Sequence, residues 1–112
     1  MDRRRRDKLR RGRILPEERL DLHGMTAERA HAALTRFISA AHADGKRLVL
    51  VITGKGRGPD EAGLPYRPGI LRYSVPHWLA TPPLGRMVLE VVEAHRSHGG
   101  AGALYVYLRR LR

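Results

Sequence analysis

Asp21 and His23 are one residue apart in Leu20-Asp21-Leu22-His23-Gly24, and Thr53-Gly54-Lys55-Gly56 follows about thirty residues later. A carboxylate beside an imidazole can run acid–base chemistry. An imidazole can take or give a proton, and the carboxylate can orient it or act as its partner base. A glycine-lysine-glycine turn suits a phosphate, because glycine lets the backbone approach closely while lysine brings charge. On its own, an Asp-x-His pair at a strand end is more often a capping or hydrogen-bonding device, and only the second motif argues for a shared site. Gly54-Lys55-Gly56-Arg57-Gly58 lacks the spacing of a P-loop, and Pro59 and charged residues stand where that motif starts a helix.

The surrounding pattern supplies elements able to hold these residues. Residues 20–23 alternate apolar and polar, which predicts a first strand with Leu20 and Leu22 on one face and Asp21 and His23 on the other. Thr26 is a natural N-cap for a helix reaching about Ala43, with Ala30, Ala33, Leu34, Phe37, Ile38 and Ala41 at helical spacing and Gly45 closing it. Leu48-Val49-Leu50-Val51-Ile52 is apolar without alternation, the mark of a central strand buried on both faces. Strand, helix and strand then form a parallel unit, and both motifs fall at the C-terminal ends of its strands, where open α/β sheets bind ligands.

The stretch Arg57 to Pro68 is rich in glycine, proline and charge and reads as a long loop. A second helix is expected from about Ile70, burying Leu71, Val75, Trp78 and Leu79 and kinked or restarted at Pro76. Met87 to Ala94 reads as a third strand, Arg96 to Gly102 as a glycine-rich turn, and Leu104, Val106 and Leu108 mark a fourth strand.

With 112 residues, the chain has room for one domain and one mostly aliphatic core, since Phe and Trp occur once each. There are 22 Lys and Arg against 11 Asp and Glu, and eight of the basic residues fall within residues 1–13. Residues 1–18 are therefore read as a flexible basic arm and 19–112 as the folded domain. A basic arm on a basic body suits a nucleic acid or a ribosome, although such a run can equally be a solvated segment. Cysteine is absent, which excludes disulfides, thiolate zinc sites and a cysteine nucleophile. No apolar stretch is long enough for a membrane span and no secretory h-region follows the basic start, so a cytoplasmic protein is expected.

The ordered set Leu20-Asp21-Leu22-His23-Gly24, Thr53-Gly54-Lys55-Gly56, Gly69-Ile70-Leu71-Arg72, Val75-Pro76-x-Trp78-Leu79 and Gly99-Gly100-x-Gly102-Ala103-Leu104 resembles the Smr (small MutS-related) domain over about residues 19–110. The resemblance implies an α/β two-layer sandwich of βαβαββ order, a four-stranded mixed sheet with two helices. It also implies nucleic-acid binding and endonuclease activity, with ribosome-associated mRNA cleavage for stand-alone bacterial members and DNA nicking for others. The family's Asp-x-His pair falls on Asp21 and His23, and its glycine motif on Thr53, Gly54, Lys55 and Gly56. Thr53 stands where other members carry a second histidine, and the 57–68 loop is longer than in compact members.

If the substrate is RNA, the 2′-OH attacks the adjacent phosphorus, and the enzyme must move protons and stabilise charge. Asp21 and His23 are the expected catalytic pair. Thr53, Gly54, Lys55, Gly56, Arg57 and Arg72 are the expected phosphate contacts, with no metal and no cofactor. RNA is favoured over DNA because hydrolytic nicking generally uses a metal held by several carboxylates, and the motifs offer only Asp21. The alternatives are DNA nicking and a non-catalytic module binding RNA, DNA or a ribosome. Tyr105 and Tyr107 share a strand face and suit either base stacking or covering the sheet.

Overall fold

A computed structural model describes residues 15–54 and 70–110. The expected arm up to residue 14 and the expected loop from Arg57 to Pro68 lie outside the described residues. The chain forms β1 (Glu18–Asp21), α1 (Ala27–Ala43), β2 (Leu48–Ile52), α2 (Ile70–Ala80), β3 (Val88–Glu93) and β4 (Ala103–Leu108). The strands make one sheet in the order β1-β2-β4-β3. β1 runs parallel to β2, while β4 is antiparallel to both β2 and β3. This is the two-layer βαβαββ arrangement that the motif order implied.

Local chemistry explains α1. The Thr26 hydroxyl accepts the Arg29 N–H at 3.2 Å, satisfying one of the free donors of the first turn. Ala30, Leu34, Ile38 and Ala41 form the buried stripe. At the other end Gly45 takes φ +77, its N–H donates to the His42 carbonyl, and the Lys46 N–H donates to Ala41. That double closure is a Schellman motif, and its left-handed residue favours glycine.

α2 bears out Leu71, Val75 and Leu79 as buried positions, with Trp78 partly buried beside them. The helix does not restart at Pro76 but runs on to Ala80. Proline removes one intrahelical donor, but Leu71, Val75 and Leu79 hold both halves on the core. Both helices cover one sheet face, where Val49, Val51, Val106 and Leu108 meet them. The opposite face carries a smaller cluster of Leu48, Leu50, Ala94, Ala103, Tyr105 and Tyr107. This second cluster explains why β2 is apolar at successive positions.

Two boundaries differ from expectation. The first strand spans Glu18–Asp21 rather than 20–23, because its pairing begins with the Glu17 N–H on the Leu48 carbonyl and follows β2. Side-chain alternation marks which face is buried, whereas the neighbouring strand decides where pairing stops. β3 is one residue shorter at each end than the 87–94 reading and contains an irregularity between Val88 and Glu90.

Candidate active site

The pleat of β1 sends Leu20 and Leu22 toward the helices, with Leu22 fully buried, so Asp21 and His23 emerge on the opposite face. Leu22 makes the last parallel hydrogen bond, its N–H to the Ile52 carbonyl at 2.8 Å, and the chain then turns through Gly24 at φ +79. One carboxylate oxygen of Asp21 accepts both the backbone N–H of His23 at 3.0 Å and a bond with its Nδ1 at 2.6 Å.

Slight burial pushes the Asp21 carboxyl up. The hydrogen bonds from the His23 side chain and backbone outweigh it, leaving the group below its ordinary value. An ionised carboxylate only accepts, so Nδ1 carries the hydrogen in this bond. In the neutral ring, Nε2 is then the basic nitrogen. The His23 side chain is 69% exposed and that of Asp21 41%. An exposed pair of this kind contributes about 0–1 kcal/mol to folding. Its geometry therefore matters more for chemistry than for stability.

β2 delivers Thr53 and Gly54 of the second motif to the same place. An ideal Cβ on Gly54 would lie 3.3 Å from the His23 Cβ, so the two segments are in close contact. The N–H groups of Thr53 and Gly54 both donate to the Gly102 carbonyl, at 2.8 and 3.0 Å. Thr53 is 6% exposed, and its hydroxyl reaches the carbonyls of Gly54 and Gly102. These bonds change the expected role of both residues. Their N–H groups and the Thr53 hydroxyl face the neighbouring strand end instead of an open phosphate site, so they tie the two strand ends together. Lys55, Gly56 and Arg57 lie outside the described residues.

Arg72 occupies the first turn of α2 and is half-buried. No hydrogen bond or ion pair joins it to Asp21 or His23 among the described residues. α2 leads through a short turn into β3, which runs parallel to β2, so its first turn stands toward the Asp21–His23 end.

On α1, His31 lies against Trp78 with ring centroids 4.7 Å apart. Tyr105 and Tyr107 are 1% and 6% exposed, which rules out the base-stacking option and supports sheet coverage. What sequence reasoning missed is that the β3–β4 turn reaches this rim. The pairing of Ile52 with Ala103 places residues 95–102 on the same rim as His23 and Gly54. The Gly99-Gly100-x-Gly102 pattern signalled a tight turn, but only the sheet order says which strand end it touches. Among the described residues, no three His, Asp or Glu side chains gather as a metal site would need. No helix among them is long and apolar enough to cross a membrane.

The fold is a two-layer α/β domain in which an Asp–His pair and Gly54 meet at one sheet rim. The Smr domain model matches residues 20–109, and the chain belongs to the Smr domain family. It is 32% identical over 103 residues to the ribosome rescue factor SmrB of Tolumonas auensis, covering 92% of this chain and 51% of that protein. It is 35% identical over 108 residues to an Escherichia coli K12 protein named "Probable DNA endonuclease SmrA", covering 93% and 51%. The chain thus spans about half the length of these curated relatives. Among solved structures, the stand-alone small MutS-related protein YdaL of Escherichia coli aligns with TM-score 0.72 and 35% identity, over 98% of this chain and 78% of that one. The Smr domain of Thermus thermophilus MutS2 aligns with TM-score 0.65 and 25% identity, over 82% and 98%.

Proposed function

We propose that this chain is an endonuclease that cleaves RNA by acid–base catalysis without a metal cofactor, acting on mRNA at the ribosome in the cytoplasm. The observation that carries the reading is the 2.6 Å bond between His23 Nδ1 and Asp21 on an exposed ring beside Gly54. Asp21 fixes the ring and leaves Nε2 to accept the proton of a ribose 2′-OH. The deprotonated oxygen attacks the adjacent phosphorus, and the 5′ oxygen departs. Lys55 and Arg57 follow directly on Gly54 in the chain and, with Gly56 and Arg72, are the proposed phosphate contacts. The net charge of +11 draws a polyanion to this surface.

The ribosomal setting rests on the similarity to SmrB. The similarity to SmrA supports DNA nicking as a second reading. One experiment separates them. Wild type and His23→Ala are incubated with single-stranded RNA, supercoiled DNA and ribosome-bound mRNA, with and without EDTA, and the ends are identified. The RNA reading expects 5′-hydroxyl and 2′,3′-cyclic phosphate ends, insensitivity to EDTA, and no cutting by His23→Ala despite retained binding. Ends bearing 5′-phosphate, or cleavage abolished by EDTA, would reject it. Binding without any cleavage would point to a recognition module.

A further inference from the structure

We propose that His98 supplies a second imidazole to this site and donates the proton that the departing 5′ oxygen requires. This rests on the RNA-cleaving reading above. Transesterification moves two protons, one off O2′ and one onto O5′, and the Asp21–His23 pair accounts for the first.

Placement comes from the sheet. The Gly102 carbonyl is bound by the N–H groups of Thr53 and Gly54, and Gly54 in turn packs on His23. The three segments therefore lie side by side. Across the sheet, Arg19 pairs with Leu50 and Leu50 with Tyr105, while Asp21 pairs with Ile52 and Ile52 with Ala103. Arg19, Asp21 and Tyr105 thus share the face away from the helices. β1 and β4 are two strand spacings apart, about 10 Å, with half-buried Ile52 between them. His98 is held on the Tyr105 hydroxyl on that face, and the phosphodiester is proposed to lie between its ring and that of His23.

The hydrogen bonding is complementary as well. The hydroxyl of Tyr105, a residue 1% exposed, accepts the His95 N–H at 3.3 Å and bonds to His98 Nδ1. The two rings meet edge to face, 5.6 Å between centroids. In the imidazolium both ring nitrogens carry hydrogen, so His98 Nδ1–H donates to the Tyr105 oxygen and Nε2–H is left for the substrate. His23, in its neutral form, has its Nδ1–H on Asp21 and its lone pair on Nε2. One ring is set to take a proton and the other to give one. Gly99 holds the turn that carries His98. It sits at φ +115, and a Cβ there would come within 2.9 Å of the Ala103 Cβ.

In the reaction, the O2′ proton passes to His23 Nε2 as the O2′–P bond forms. The P–O5′ bond breaks, and the proton on His98 Nε2 passes to O5′. The products are a 2′,3′-cyclic phosphate and a 5′-hydroxyl, and later proton exchange with water restores both rings.

The test compares a single-stranded RNA with the same RNA carrying a 5′-bridging sulfur at the cleaved bond, whose thiolate leaves without protonation. His98→Gln should lower kcat on the ordinary RNA by about 10²–10⁴-fold with little change in KM. It should cut the sulfur-containing RNA nearly as fast as wild type does. His23→Gln should fail on both substrates. Tyr105→Phe, which keeps the buried ring, should lower kcat while leaving KM near wild type. Should His98→Gln misfold, added imidazole restoring cleavage by a folded His98→Ala is the expected result, and no rescue would count against the role. A wild type that cuts RNA alongside an equally fast His98→Gln, or a sulfur substrate that does not rescue the variant, overturns this proposal alone. A wild type that leaves every RNA intact overturns the parent reading with it.

Discussion

Gly54 packs so closely on His23 that a methyl group on its Cα would sit 3.3 Å from the His23 Cβ. Segments about thirty residues apart thereby meet at one rim. Gly54 also has φ +84, a conformation that L side chains rarely adopt.

Gly54→Ala combines both penalties. The backbone term should lower stability by about 1–2 kcal/mol. The crowding should displace His23 and reduce cleavage beyond what the loss of stability explains. Urea unfolding and single-turnover cleavage at saturating enzyme measure the two effects separately.

Asp21→Asn should reduce cleavage by about 10²–10⁴-fold, because the amide no longer holds Nδ1–H as an ionised acceptor does. Its effect on stability should stay below about 1 kcal/mol at neutral pH, the pair being exposed. The sign with pH follows from the carboxyl lying below its ordinary value in the folded protein. Its contribution is present above the unfolded-state value near pH 4 and is lost as acid protonates the folded form. Unfolding curves of wild type and Asp21→Asn should therefore converge as pH falls below about 4. A gap that widens in acid would contradict the assignment.

Thr53→Val removes a buried hydroxyl that reaches the Gly102 and Gly54 carbonyls while keeping the shape of the side chain. A stability loss of about 1 kcal/mol is expected. Cleavage should also fall, because the strand ends at Gly54 and Gly102 loosen together. Thr53→Ser should recover most of both losses, and a Ser variant no better than Val would show that the hydroxyl does not brace the loop.

Lys55→Ala should weaken RNA binding similarly for unrelated sequences. A plot of log affinity against log salt should lose about one unit of slope, the signature of one phosphate contact removed. An unchanged slope would place Lys55 away from the backbone of the RNA.

Much of this architecture was legible in the chain because it depends on neighbours in sequence. A two-residue alternation told which side chains of the first strand face the core, and Leu20 and Leu22 face it as expected. Helical spacing and the Thr26 and Gly45 caps defined α1. The Asp21–His23 bond spans two residues, so local geometry alone can form it.

Other features depended on partners distant in the chain. Whether β1 starts at Glu18 or residue 20 follows from pairing with β2, and the burial of Tyr105 and Tyr107 follows from a second apolar cluster. The Thr53 and Gly54 donors turn inward to Gly102 because β4 lies between β2 and β3. Residue types and spacing thus named the reactive groups, since those are properties of single residues and short turns. Tertiary structure decided which groups share a rim, because strand order is set by hydrogen bonds and burial between segments that no local pattern encodes.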